Sequence, residues 1–209
     1  MEDILDTYGL PYDKNIPLIC MDEKPYQLLD ELLKPLPMRR GRLKRIDYEY
    51  VRKGSCSIFV FTEPLAGWRT TSVREKRTKR DWAEEIHDLL IVHYPNSQKI
   101  RLVLDNLNTH TIGSLYETYP PEIARSLAKR LEIHYTPIHG SWLNIAEIEL
   151  SAMERQCLKR RMSDIDILRN ELKAWHKDRN KSQKEVDWQF TTQDARIKLK
   201  RLYPVQIVK

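Results

Sequence analysis

The sequence is poor in cysteine, and the few it has are not paired. Cys20, Cys56 and Cys157 are odd in number and widely separated. That excludes a disulfide-stapled scaffold and a zinc module, and the thiols read as reduced ones in a cytoplasmic protein. No apolar run approaches the ~20 residues that span a bilayer. The opening Met1-Glu2-Asp3-Ile4-Leu5-Asp6 is acidic and lacks the pattern of a secretory signal. Internal repeats and low-complexity tracts are absent too, so neither a solenoid nor a disordered tail is indicated.

What is present suits one folded domain with a polyanionic partner. The chain has 209 residues, 41% hydrophobic and 32% charged, with a formal net charge of +6. A core of ordinary size follows from the first two numbers. The positive balance favours nucleic acid as partner, although a lysine-rich soluble surface would give the same total.

Residues 1–16 are polar and proline-punctuated and read as a lead-in segment. Residues 17–23 form a short apolar run that ends in acid, as a buried strand would. Pro35, Pro37 and Gly41 make Lys34 to Gly41 a loop. Tyr48 to Val51 and Ser57 to Phe61 are β-branched and aromatic, and Lys53-Gly54-Ser55 between them predicts a hairpin turn. A third strand is expected at Trp68 to Val73, a helix at Asp81 to Val92, a strand at Lys99 to Leu104 and a helix from Pro120 to Arg130. A strand at Leu131 to Tyr135 follows. Helices are then predicted at Leu143 to Leu158, at Asp164 to Lys177, and after Thr191-Thr192-Gln193-Asp194. Three antiparallel strands followed by αβαβα give an α/β fold, a mixed sheet with helices on its faces.

Three acids stand out in this layout. Asp22 ends the run Pro17-Leu18-Ile19-Cys20-Met21, and Asp105 ends Ile100-Arg101-Leu102-Val103-Leu104. If the two strands are neighbours, their carboxylates can meet and bridge a divalent cation, which relieves their mutual repulsion. The predicted helix from Leu143 carries the apolar line Leu143, Ala146, Leu150, Met153 and Cys157. Glu147 flanks that line near the helix start. Glu149 lies about 200° further round and points away, whereas Glu154 shares the face of Glu147 but lies about 10.5 Å along the axis. Glu147 is therefore the third candidate and Glu154 the fallback. Glu23 alternates to the opposite face of the strand from Asp22. Such acids also occur simply as turn starters and solvated helix residues, so spacing alone leaves both readings open.

The surrounding residues carry a resemblance. Cys20-Met21-Asp22-Glu23-Lys24-Pro25, Val103-Leu104-Asp105-Asn106-Leu107-Asn108-Thr109-His110 and the stretch from His134 to Glu147, with its Ser141-Trp142-Leu143-Asn144, resemble the acidic motifs of DDE transposases. They are most similar to the bacterial insertion-sequence 630 branch of the Tc/mariner superfamily, and Val186 to Arg196 resembles the same branch. The resemblance implies a ribonuclease H-like fold over residues 17–180 with a C-terminal helical extension over 181–209. It implies that Asp22, Asp105 and Glu147 bind two ions, Mg2+ or Mn2+. It further implies cleavage of transposon ends by water, followed by attack of a DNA 3′-hydroxyl on target DNA. Full-length members begin with helix-turn-helix domains, so a separate recognition domain or subunit and a homodimer on DNA are the implied partners. A non-catalytic DNA-binding or transposase-interacting module, and a stand-alone nuclease of the same fold, are the competing readings.

Basic clusters supply candidate phosphate contacts: Arg39, Arg40, Arg42, Lys44 and Arg45 in the loop after Asp22, and Arg77, Lys79 and Arg80 before the next helix. Asn106, His110, His139 and Asn144 lie close enough in sequence to the acids to support them or to touch a phosphate. Trp142 is expected to pack the helix start or to approach unpaired DNA.

Overall fold

The computed structural model describes residues 1–43, 45, 47–182 and 184–203. Five strands, β1 (Leu18–Glu31), β2 (Tyr50–Glu63), β3 (Trp68–Arg74), β4 (Ile100–Leu104) and β5 (Leu131–Tyr135), form one sheet in the order β3-β2-β1-β4-β5. β1, β2 and β3 are antiparallel, and β4 and β5 run parallel to β1. The expected mixed α/β sheet is what the chain forms.

Strand alternation sends successive side chains to opposite faces, and helices cover both. On one face Ile19, Met21, Phe59, Phe61, Leu102 and Leu104 are buried against α2 (Lys79–Asp88), α3 (Ile112–Thr118) and α4 (Pro121–Ala128). On the other face Ile58, Val60 and Val73 meet α5 (Ala146–Gln156) and α6 (Ile165–Lys181). Cys20 and Val103, also on that face, meet α1 (Glu2–Tyr8), the start of α5, and α7 (Thr192–Lys198). Capping boxes open α2 (Thr78 with Asp81) and α7 (Thr191 with Asp194), the second as its sequence predicts. No described helix is long and apolar enough to cross a membrane.

Four expectations need correction. Tyr48 to Phe61 is not a hairpin, because Tyr50–Glu63 is one strand. Gln27 pairs with Ser55 but Leu29 with Arg52, so β2 carries one extra residue there, and Gly54 takes up the bulge at φ 108°. β1 does not stop at residue 23 but runs on through Pro25 to Glu31. Beyond Asp22 it pairs only with β2, and such a free edge is where a strand tolerates proline. Residues 112–118 form α3, which was not anticipated. The stretch expected as a lead-in holds α1, whose Ile4, Leu5 and Tyr8 are buried.

That burial predicts a stability effect. Ile4 is fully buried against the α5 start. Ile4→Ala should cost about 2–5 kcal/mol, the usual range for emptying such a site, read as a lowered urea midpoint at unchanged m-value. A loss under about 0.5 kcal/mol would show that α1 is an appendage and not part of the core.

Candidate functional site

The site begins at the seam between β1 and β4. Leu18 pairs with Arg101, Ile19 with Leu102 and Cys20 with Val103. Carrying that register two residues on brings Asp22 level with Asp105 on strands about 4.8 Å apart. Cys20 and Val103 share one core cluster with Leu143, Ile145 and Ala146. By alternation Asp22 faces the side of Cys20, toward the start of α5, and Asp105, just past β4, is near enough for its charge to act on Asp22. Asp105 stands just past the last residue of β4, as expected. Asp22 lies within β1 and not at its end, because the strand continues.

Two hydrogen bonds dock the α5 entry on this seam. Asn144, fully enclosed, donates from Nδ2 to the Met21 carbonyl at 2.8 Å, while its Oδ1 accepts from the Ala146 amide at 3.1 Å. Tyr8 donates its hydroxyl to the Leu143 carbonyl at 2.7 Å. The helix therefore starts beside the residue that precedes Asp22, with Glu147 exposed in its first turn. Asn144 was expected to support a carboxylate or phosphate; its partners are backbone groups, and it acts by positioning the helix. The approach is a tight turn in which the Gly140 amide donates to the Pro137 carbonyl and His139 adopts φ 62°. A Cβ on Gly140 would come within 2.6 Å of Pro137 Cγ, so only glycine fits there. His139 and Asn106 are both exposed.

Burial pushes the Asp22 carboxyl up to about 7, against a hydrogen bond from the Glu23 amide, and the charges of Glu147 and Asp105 add to the rise. The three acids are thus close enough to repel one another. They are not closed into a cage: among the described residues, no three His, Cys, Asp or Glu side chains stand ready to hold one ion.

Behind Asp105 lies a buried relay. His110 has its Nε2 2.7 Å from Glu23 Oε1 and its Nδ1 2.6 Å from Asp105 Oδ1. The second contact is out of line for a hydrogen bond, so Asp105 Oδ1 keeps no hydrogen-bond partner and the attraction is one of charge. Burial works against the imidazolium, but Asp105 and Glu23 outweigh it and hold His110 up at about 9. The ring stacks on Trp82 at 5.9 Å, and Tyr135 donates to the His110 carbonyl at 2.7 Å. A phosphate contact, one of the expectations for His110, is excluded because the residue is fully buried. Glu23, as alternation predicts, faces away from Asp22; its role as the second clamp on His110 was not legible without the fold.

The other helical glutamates are occupied. Glu154 pairs with Lys24 at 2.8 Å. Glu149 points away from the seam, as its helical phase predicts, but it is not solvated: it lies buried between Arg69 at 3.2 Å and Arg179 at 2.8 Å.

A family model described as DDE superfamily endonuclease matches residues 17–169. The chain belongs to that family. Among solved structures, this DDE domain is similar to the Mos1 mariner paired end complex with Mn, at a TM-score of 0.57 and 13% identity over 87% of this chain and 54% of that one. The Mos1 Strand Transfer Complex gives 0.55 and 13% over 85% and 53%. At that identity the likeness is one of fold, the ribonuclease H-like one. The chain spans about half the length of the Mos1 chains it matches. No curated protein sequence matches it. Divalent-metal use comes with membership of the family.

The basic residues of this DDE domain fall into two groups. Arg39, Arg40, Arg42 and Arg45 are exposed on an arm between β1 and β2, where Leu36 bridges to Arg45 and Arg39 to Arg42. Lys44 lies outside the described residues. Arg161 anchors the arm's root, donating to the Tyr48 and Glu49 carbonyls at 2.9 Å each. In the second group Arg77 is exposed, but Lys79 pairs with Glu117 and Arg80 with Glu84. Such surface pairs are worth roughly 0–1 kcal/mol and do not prevent exchange for a phosphate.

The two raised groups act on stability with the same sign. Asp22 moves from 3.8 to about 7, so folding favours its protonated form and loses that support as pH rises through about 7. His110 moves from 6.5 to about 9; its contribution is complete below the first value and lost as pH rises through the second. Without divalent cations, the urea midpoint should therefore fall between pH ~6 and ~9, and His110→Gln should remove the upper part of that fall. A midpoint independent of pH across this range would refute the buried placement of both groups.

Proposed function

We propose that this chain is the catalytic core of a DDE transposase, cutting DNA at transposon ends and joining the freed 3′-hydroxyl to target DNA. Asp22, Asp105 and Glu147 are on this reading the ligands of two magnesium or manganese ions. The observation that supports it is the parallel β1–β4 register, in which the pair Cys20 and Val103 stands two residues before Asp22 and Asp105, with Glu147 at the start of the helix that Asn144 ties to β1.

The residues fit such ions chemically. All three donors are carboxylate oxygens, the ligands of hard cations. The acid-crowded Asp22 is the group a cation would satisfy. When bound, the ions activate the attacking oxygen and stabilise the leaving one. The chain's own contribution is positional. The seam fixes two carboxylates on rigid strands, the Glu23–His110 clamp holds Asp105 from behind, and the exposed arginines of the arm take backbone phosphates. The DNA partners are transposon ends and a target duplex. Joining two ends calls for two cores, hence a homodimer on DNA, and a helix-turn-helix domain or subunit supplies end recognition.

The test is manganese-dependent nicking of duplex DNA that carries transposon ends, with a helix-turn-helix partner supplied. Asp105→Asn and Glu147→Gln should each lower the rate by more than about 100-fold, beyond the cost of losing a residue that merely supports a ligand. Glu154→Gln should stay within about threefold, since Glu154 is paired with Lys24. Nicking that survives Asp105→Asn would end the triad assignment. No nicking by the wild type in any divalent cation would favour a DNA-binding module without chemistry.

A further inference from the structure

Beside Glu147 lies an open recess of about 490 Å3 that the proposed chemistry does not use. It is lined by Ser141, Trp142, Glu147, Ile148, Ser151 and Arg155. Glu147, Ser151 and Arg155 follow at intervals of four, so they share one face of α5, each step rising about 6 Å. That face is opposed to the buried one of Leu150 and Met153. Arg155 is exposed, and among the described residues it makes no ion pair. At the other end Trp142 is 45% exposed and Ile148 42%. The indole is not loose: its edge meets the Phe190 ring at 6.4 Å and 65°. A half-exposed indole, tilted against Phe190, thus stands on one side of Glu147, and a guanidinium stands about 12 Å along the helix on the other.

Resting on the reading of Asp22, Asp105 and Glu147 as the cutting site, we propose that this recess is a subsite for an unpaired DNA strand, with one nucleobase stacked on Trp142 and a backbone phosphate held by Arg155. The chemistry favours a nucleotide strand over an apolar peptide. The recess combines an indole, hydroxyls and a cation, and one of the three proposed metal-binding acids, Glu147, is part of its lining. Stacking on an indole tolerates any base, because every base has a π-face. The offset of about 12 Å along α5 means that Arg155 meets a phosphate near the cut and not the one held at Glu147. Inside a duplex both faces of every base are covered by its neighbours, so the subsite selects strands that are open beside the cut.

The experiment separates binding from cutting by working in the Asp105→Asn background. Fluorescence anisotropy compares a fluorescein-labelled duplex bearing an unpaired 3′ overhang with the blunt duplex of the same sequence. Adding Trp142→Ala should weaken overhang binding roughly 5- to 100-fold and blunt binding by less than about twofold. Trp142→Phe, which keeps an aromatic face, should return overhang affinity to within about threefold. Arg155→Gln should weaken binding of the overhang more than of the blunt duplex and reduce the overhang's slope of log affinity against log salt by about one. Intrinsic tryptophan fluorescence guards against a folding artefact: the overhang, and not the blunt duplex, should quench a component that Trp142→Phe removes. The subsite is overturned if the parent shows no preference for the overhang, if Trp142→Ala binds it as the parent does, or if that quenching persists in Trp142→Phe. Nicking by the wild type with any of these outcomes leaves the endonuclease reading standing. Overhang selectivity through Trp142 in a protein that never nicks removes that reading and keeps the strand-binding subsite.

Discussion

The parallel pairing of β1 with β4 is the contact on which the rest depends. Side chains on a strand alternate, so a slip of one residue would send Asp22 to the α2 face and Met21 to the α5 face. Two separate cores guard against that slip. Ile19, Met21, Leu102 and Leu104 fit the cluster around Trp82, while Cys20 and Val103 fit the one around Leu143. Either register error would bury a carboxylate among aliphatic groups and expose several of them at once. The positions of Asp22 and Asp105 are thus set by hydrophobic packing on both faces of the sheet, not by attraction between the acids, which repel. Asn144 extends the same frame to the third acid by bonding the Met21 carbonyl, so Glu147 is referenced to β1 directly.

The charges of the interior divide by how each is neutralised. Glu149 is closed between Arg69 and Arg179, and Arg69 also bonds Asn180 and the Lys184 carbonyl. Desolvating such a group is costly, and its strength lies in the cost of losing one partner, so it fixes how α5 and α6 seat against β3. Glu23 shares His110 with Asp105. Asp22 has only an amide hydrogen bond and three nearby acids, Glu147, Asp105 and Glu23, so burial first and these charges second raise its carboxyl, whereas Glu149 is locked by two guanidiniums. A cation arriving at the seam would meet, in Asp22, an acid with a raised carboxyl and acidic neighbours, and stability gained on binding would follow from that differential.

Much of this was legible in the residues. β5 falls where Leu131 to Tyr135 predicts it, the Thr191 cap opens α7, and the helical phase that turns Glu149 away from Glu147 agrees with its burial between Arg69 and Arg179. What failed did so because tertiary contacts override local signals. Gly54 has the look of a turn residue, yet the same left-handed freedom serves a bulge inside a long strand. α1 was hidden because Glu2, Asp3 and Asp6 dilute the apolar signal of Ile4, Leu5 and Tyr8, which gain meaning only against the α5 entry. Lys24 and Pro25 masked the length of β1, since neither suits a strand paired on both sides, and β1 is not so paired there. The burial of His110 could not be read from its neighbours at all: it depends on Glu23, 87 positions away, and on the Trp82 plane.

The arrangement also separates affinity from discrimination. The exposed arginines lie on an arm outside the sheet, and the chain's net charge is +6. Contacts of that kind attract any phosphate backbone and weaken together as salt rises, carrying no information about base sequence. The acids sit on the rigid seam, where a displacement of an ångström would matter, while the arm needs only to bring charge near. Stacking on an exposed indole is likewise indifferent to base identity but sensitive to whether the strand is paired. With the proposed strand subsite, such a core would distinguish open from closed DNA at the point of reaction. Choosing which sequence to open requires contacts to base edges in a groove, which a phosphate-seeking arm and a stacking face do not make.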